Sequence, residues 1–206
     1  MDIGKCFREA TEIYQRNLLV LVATAVIYDL LSIVSLLILL GPLTGGICLQ
    51  SLRAVRSKDQ QVLLGDLFGG FSKFFTLLGL LLLTIIPLTV ATLFFIVPGL
   101  LLGTIWMFDM FLVVDRSEGI FSSLKNSCQM VMHAGFGNCI VLFLIVSCIG
   151  FAPAAIPYVG IIVGWFVAPL SWLVMASAYN QIIESQKLPL STEEQRDAEQ
   201  AGEYFG

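Results

Sequence analysis

Charged residues are scarce in this sequence of 206 residues: Asp, Glu, Lys and Arg make up 13% of it, about half the share usual in a soluble domain. Hydrophobic residues account for 57%, and the mean hydropathy is +0.90. The long stretches 18–52, 74–114 and 136–183 contain only two acidic or basic residues, Asp29 and Asp109. This composition excludes a water-soluble fold and predicts an integral membrane protein.

Residues that carry chemistry are equally few. The single histidine, His133, lies between a predicted surface helix and a predicted span, so we expect an interfacial turn there and no metal site. The five cysteines form no CxxC pair, and we interpret them as reduced packing residues. No serine or cysteine has a candidate base near it in the sequence. We therefore predict no catalytic residue, no cofactor and no metal site, and hence no enzyme.

The net charge of −4 comes mostly from the C-terminal tail. Residues 185–206 contain two basic and five acidic groups, which contribute −3. We predict a membrane domain over residues 1–185 and an acidic cytoplasmic tail over 186–206, in which Ser191 and Glu194 have the spacing of a helix-capping box. Without a basic surface, we expect no binding of nucleic acid.

Apolar runs recur along the chain. Their length is near the roughly 20 residues that a helix needs to cross a bilayer. Three uncharged turns divide them, at Gly41-Pro42, at Val97-Pro98-Gly99 and at residues 157–160. The pattern predicts three helical hairpins, and therefore an all-α bundle of six transmembrane helices. The second run is short, because only the 11 residues 42–52 precede Arg53.

A Gly-x-x-x-Gly motif opens at each turn. The three pairs are Gly41 with Gly45, Gly99 with Gly103, and Gly160 with Gly164. Small residues one turn apart let two helix backbones approach closely within lipid. We expect these glycines to pack helices inside the bundle, with a dimer interface as the alternative.

An amphipathic segment precedes each hairpin, with apolar residues at helical spacing on one face. These segments are residues 3–14, 64–75 and 120–131. Such helices lie along the membrane surface. The recurrence of this segment, followed by a motif at 41, 99 and 160, predicts a threefold repeat. Its units are residues 2–57, 62–116 and 118–185.

All 11 Lys and Arg residues lie on one predicted side of the membrane. Because Lys and Arg are retained on the cytoplasmic side, we predict a multi-pass protein of the cytoplasmic (inner) membrane with both termini in the cytoplasm. Membrane lipids are then the expected partners. A second copy of the chain or another membrane protein is left open as a partner.

Three ionisable residues are candidates for a role inside the membrane, where charge is costly: Asp29, Arg53 and Asp109. Asp109 lies 10 residues after Gly99, about 15 Å from the outer turn. It is either a structural acid, protonated or bonded to a backbone carbonyl, or a group that moves protons or ions. Asp29 and Arg53 each lie 12 residues from Gly41, which predicts a salt bridge between the first two spans. In the alternative, Arg53 extends to the interface and Asp29 is protonated and alone.

Several short motifs carry a resemblance to a known family. They are Pro98-Gly99 followed by Trp106, Val113-Val114-Asp115, Ser123-Leu124-Lys125-Asn126-Ser127, and Gly65-Asp66-Leu67-Phe68-Gly69-Gly70-Phe71. Together they resemble the bacterial six-helix membrane proteins related to the membrane domain of glycerophosphoryl diester phosphodiesterases, over most of residues 1–185. This resemblance implies the six-helix fold. It implies no catalytic activity, since we identify no phosphodiesterase domain in the sequence.

Two hypotheses for function follow. The leading one is a non-enzymatic accessory or scaffold protein of the cytoplasmic membrane that contacts lipid or membrane partners. The alternative is a small transporter that uses Asp29 and Asp109 on a polar path. A water-accessible cavity that reaches Asp109 would favour the transporter.

Overall fold

The structure is a computed structural model that describes the backbone of residues 2–35, 38–57, 62–155 and 159–204, with side chains as far as residue 185 except those of 96, 154 and 155. Within these ranges the chain is helical and contains no strand, so the predicted all-α class is confirmed. The helices are α1 (Ile3–Arg16), α2 (Leu18–Val34), α3 (Leu40–Arg56), α4 (Phe74–Phe94), α5 (Ile96–Ile105), α6 (Asp109–Arg116), α7 (Ile120–Phe151) and α8 (Val159–Tyr204). A 3₁₀ helix, Leu64–Lys73, leads into α4, and a 3₁₀ turn, Ala152–Ala155, follows α7.

Four helical stretches of the described chain are long and apolar enough to cross a membrane. They are Leu64–Phe94, Val97–Arg116, Ile120–Phe151 and Val159–Ser185. The pair α1 and α2 passes the same test as one span bent by 92°, which raises the number to five. Many large apolar side chains on these stretches face outward, as Phe75 and Leu93 do. Such a surface is suited to lipid tails, and the structure supports a helical membrane protein with four or five helices of spanning length.

Helix α3 lies at the centre of the bundle. Twelve of its 17 residues are buried, and it packs against α4, α6, α8 and the 3₁₀ helix Leu64–Lys73. Its glycines make this possible, because a Cβ on Gly41 would lie 2.8 Å from Leu78 Cα and one on Gly46 would lie 1.7 Å from the carbonyl oxygen of Leu67. Backbone therefore meets backbone on two sides of α3.

The first hairpin turns earlier in the chain than predicted. Gly41 and Pro42 lie in the first turn of α3, where a proline loses no helical hydrogen bond. Two contacts set the register of α2 against α3: Gln50 Nε2 donates to Thr24 Oγ1 at 3.0 Å, and the Tyr28 and Thr44 hydroxyls lie 3.3 Å apart. The pairs 24/50 and 28/44 are centred on positions 37 and 36. The turn predicted at Gly41-Pro42 is therefore wrong by about five residues.

The second predicted turn also differs slightly from the structure, and the third is only partly described. The chain leaves helical geometry at Phe95, and α5 already includes Pro98 and Gly99, so this break also comes slightly before the predicted turn. Half of the third predicted turn, at 157–160, falls outside the described residues; its other two residues, Val159 and Gly160, begin α8.

Helix α1 is amphipathic as predicted, with Cys6, Ala10 and Ile13 buried on one face. This face packs on α8. The amide of Asp2 donates to Gln181 Oε1 at 3.1 Å and the Tyr14 hydroxyl donates to the Phe166 carbonyl at 2.7 Å, so α1 runs antiparallel to α8. Its apolar face is covered by protein and is not free to enter lipid.

Helix α7 agrees with the sequence expectation at its junction, whereas helix α8 is longer than expected. Gly135, at φ 93°, separates an N-terminal half of α7 from its apolar C-terminal half, close to where the sequence predicts a junction. His133 is exposed beside it. Helix α8 continues to Tyr204, so Ser191 and Glu194, whose spacing suggests the start of a helix, lie inside α8.

Candidate functional site

A bidentate ion pair joins the ends of two helices. Arg56, the last residue of α3, donates through Nη2 to Asp115 Oδ2 at 2.8 Å and through Nη1 to Oδ1. The Tyr179 hydroxyl donates to the same Oδ2 at 3.0 Å, and Arg56 Nε donates to Asn180 Oδ1 at 3.1 Å. Arginine and carboxylate are matched in geometry, and such pairs are among the stronger protein hydrogen bonds. One cluster therefore ties α3 and α6 to α8.

Lys73 extends this cluster to the start of α4. Its Nζ donates to the carbonyl oxygens of Val113 at 2.7 Å and Val114 at 3.0 Å, and to Ser117 Oγ at 2.8 Å. The last carbonyls of a helix carry partial negative charge and lack helical partners, so an ammonium group there caps α6. We call the cluster of Arg56, Lys73, Asp115, Tyr179 and Asn180 the charged end of the bundle.

A cleft of about 260 Å³ lies beside the charged end, between α1, α3 and α8. Its polar lining residues are Lys5, Glu9, Arg56, Asn180, Gln181 and Glu184. Within this region Ser177 Oγ donates to Glu9 Oε2 at 2.7 Å, and Asn180 Nδ2 donates to Glu184 Oε1 at 2.9 Å. The lining carries charges of both signs and much of its hydrogen bonding is internal, which suits the joining of helices.

Arg53 lies in a second cleft, of about 290 Å³, where it forms an ion pair with Asp66. Gln50, which is buried, lines the same cleft and donates to the Leu63 carbonyl at 3.0 Å. The predicted Asp29–Arg53 salt bridge is wrong, because each residue has a different partner. The early turn explains the error: in the observed register Asp29 lies at the level of Thr44, far along α3 from Arg53.

Asp29 accepts a hydrogen bond from Trp165 Nε1 at 2.7 Å. Both residues line a cavity of about 310 Å³ between α2, α7 and α8, which we call the Asp29 cavity. Tyr28 and Trp172 also line it and meet edge to face, with ring centroids 5.9 Å apart. Its small lining residues are Ala25, Gly150, Gly160, Gly164 and Ala168.

The three glycine motifs occupy different surroundings. A Cβ on Gly45 would lie 2.4 Å from Leu77 Cδ1, one on Gly99 would lie 2.2 Å from Thr92 Oγ1, and one on Gly103 would lie 2.7 Å from Phe143 Cζ. A Cβ on Gly164 would find only Pro153 Cβ, at 4.0 Å. The third motif therefore borders a cavity, whereas the first two lie in close contacts.

Asp109 is buried at a break in the helix that was predicted to be continuous. Helix α5 ends at Ile105 and α6 begins at Asp109. Ser127 of α7 hydrogen-bonds backbone groups at the break: its Oγ donates to the Ile105 carbonyl at 2.8 Å and accepts from the Phe108 amide at 3.3 Å. Asp109 Oδ1 accepts from the Met110 amide at 2.6 Å. Asp109 does not line the Asp29 cavity, the cleft of Arg53 or the cleft beside the charged end.

In the part of the chain that the structure describes, no group of three or more His, Cys, Asp or Glu residues is placed to hold a metal ion.

Comparison of the chain with family models, with curated proteins and with solved structures finds no match.

Proposed function

We propose that the chain is a non-enzymatic accessory or scaffold protein of the cytoplasmic membrane, which contacts lipid and membrane partners. The charged end carries this proposal. There, Arg56 forms an ion pair with Asp115. Lys73 donates hydrogen bonds to the last backbone carbonyls of α6. Charged groups engaged in this way fix the relative positions of α3, α4, α6 and α8, and a rigid face of this kind suits a structural role.

The same proposal includes six membrane crossings with both termini in the cytoplasm, and membership of the six-helix family that the sequence resembles. Three successive sets of elements have the same order: α1, α2 and α3; the 3₁₀ helix, α4 and the broken helix of α5 and α6; the two halves of α7 and then α8. This order supports a threefold repeat. Helix α3, with 17 residues, would be a short crossing surrounded by its neighbours.

A small transporter is the second candidate, and the break at Asp109 favours it. Transporters commonly place discontinuous helices and buried carboxylates at their ion sites. Here a carboxylate that is 6% exposed lies at the first residue of a half-helix. A role in ion movement would need water to reach Asp109 from both sides.

Proteoliposomes loaded with a pH-sensitive dye distinguish the two candidates. The scaffold proposal predicts that, under an imposed pH gradient and membrane potential, proton flux with the wild-type chain equals that of empty liposomes. The Asp109→Asn variant should then behave identically. A flux above that of empty liposomes which Asp109→Asn abolishes, while Glu12→Gln on the exposed face of α1 retains it, would replace the scaffold with the transporter.

A further inference from the structure

The Asp29 cavity combines features that a purely structural contact does not require. Its volume of about 310 Å³ falls in the range of roughly 300–1,000 Å³ that is usual for small-molecule sites. Its walls are mostly apolar and aromatic, with one carboxylate. Ile161, on its rim, is 63% exposed, so the cavity opens at the apolar surface of the bundle.

The carboxylate of Asp29 has one hydrogen-bond partner among the described residues, Trp165 Nε1, which binds Oδ2. Asp29 belongs to neither the Arg53–Asp66 nor the Arg56–Asp115 ion pair. A carboxylate in apolar surroundings is stabilised by a cation more than by any neutral group. The cavity therefore favours a positively charged occupant.

The aromatic residues point to the type of cation. Tyr28, Trp165 and Trp172 line the same space as the carboxylate. Faces of tryptophan and tyrosine attract ammonium groups, and aromatic cages are a common means of binding alkylated ammonium. Metal ions of the oxygen-binding class would need several more oxygen ligands than Asp29 supplies. An organic ammonium fits this lining better than a metal ion does.

The position of the cavity suits an amphiphile. Asp29 lies five residues before the end of α2, and Trp165 lies six residues after the start of α8, about 7.5 and 9 Å from the helix ends. On α8, Trp165 is 14 residues from Tyr179 at the charged end, or about 21 Å. The Asp29 cavity is therefore well separated from the charged end, and an amphiphile could place its head group in the cavity while its chain lies on the apolar surface beside Ile161.

The third glycine motif creates the room for this occupant. Gly160, Gly164 and Ala168 line the cavity, and a Cβ on Gly164 would meet no atom closer than 4.0 Å. We propose that the Asp29 cavity binds an alkylammonium group, with the ammonium on the Asp29 carboxylate against Trp165, Trp172 and Tyr28, and with the alkyl chain leaving past Ile161. This inference does not depend on the scaffold proposal or on the number of crossings.

A titration of the full chain in dodecyl maltoside tests the site. The probes are decyltrimethylammonium and its neutral isostere, in which carbon replaces nitrogen, and the readout is tryptophan fluorescence, since Trp165 and Trp172 line the cavity. We expect the wild-type chain to bind the ammonium at least tenfold more tightly than the isostere. Asp29→Asn, which keeps an oxygen for Trp165 Nε1, should abolish this preference. The control Glu12→Gln should retain it.

Two results overturn the proposal: no preference for the ammonium in the wild-type chain, or a preference that Asp29→Asn leaves unchanged. If Asp29→Asn does not fold, Gly164→Leu replaces it. Leucine there fills the cavity, so this variant should bind the ammonium at least tenfold more weakly, and unchanged binding refutes the site.

Native mass spectrometry from nanodiscs of phosphatidylethanolamine identifies the source of the ammonium. Lipid retention that depends on Asp29 assigns it to a membrane lipid. Asp29-dependent binding of the decyl probe without such retention assigns it to a free organic cation. Either result supports the site, and dependence on Asp29 in neither experiment contradicts it.

Discussion

Gly46 is the position where the smallest change should have the largest effect on the fold. A Cβ added there would lie 1.7 Å from the Leu67 carbonyl oxygen and 2.6 Å from its carbonyl carbon. Real Cβ atoms do not approach closer than 3.0 Å, so α3 and the 3₁₀ helix must separate by at least 1.3 Å, the difference between 3.0 and 1.7 Å. The obstructing atoms are backbone, and no rotamer change relieves the clash.

We expect Gly46→Ala to lower the free energy of unfolding by about 3 kcal/mol, at the upper end of the usual cost of overpacking. Separation would also uncover Leu67, which is fully buried, and strain the Arg53–Asp66 pair. Helix propensity alone would act in the opposite direction, since alanine is favoured over glycine by up to about 1 kcal/mol.

The assay is unfolding of the full chain by heat and by sodium dodecyl sulfate in dodecyl maltoside micelles, followed by circular dichroism. Gly137→Ala is the matched control, because a Cβ at this helical position of α7 has no neighbour within 4 Å. Its stability should equal or slightly exceed that of the wild-type chain. If Gly46→Ala is as stable as Gly137→Ala, the backbone contact between α3 and the 3₁₀ helix does not exist as described.

Two more stability predictions concern polar contacts between helices. Ser127→Ala removes the hydroxyl that bonds the Ile105 carbonyl and the Phe108 amide at the α5–α6 break, and should lower the free energy of unfolding by about 1–2 kcal/mol in the same assay. The control Ser122→Ala, at an exposed position, should not change it measurably. Equal effects of the two substitutions would mean that the Ser127 hydroxyl does not bond these groups. Asp115→Asn leaves Arg56 without its counter-charge and should cost about 2 kcal/mol, below the value for a fully buried pair because Arg56 is 38% exposed. A wild-type unfolding curve for Asp115→Asn would remove the ion pair from the account.

Much of the fold could be predicted because it depends on local composition. The apolar runs predict the long helices, and the spacing from Ile3 to Tyr14 predicts α1 together with its buried Cys6, Ala10 and Ile13. The place where a hairpin turns is a weaker signal. Pro42 is acceptable both in a turn and in the first turn of a helix, so the sequence does not distinguish the two.

The candidate sites depend on contacts between distant parts of the chain, and here prediction from sequence fails. Asp29 and its partner Trp165 are 136 positions apart. The break before Asp109 lies inside a continuous apolar run, and the serine that satisfies its backbone groups is on another helix. Asp29, Arg53 and Asp109 could be singled out by their cost in the membrane, but their partners could not.

The central claim is that the chain crosses the membrane six times. Labelling on either side of α3 tests this number most directly. Single cysteines at Ile38 and Ser57, in a cysteine-free background, flank α3 and are labelled in intact cells with a membrane-impermeant maleimide. Six crossings predict that Ile38→Cys reacts in intact cells, as Val159→Cys should, whereas Ser57→Cys reacts only after permeabilisation. If Ile38→Cys and Ser57→Cys react from the same side, α3 does not cross the membrane and the six-helix account is wrong.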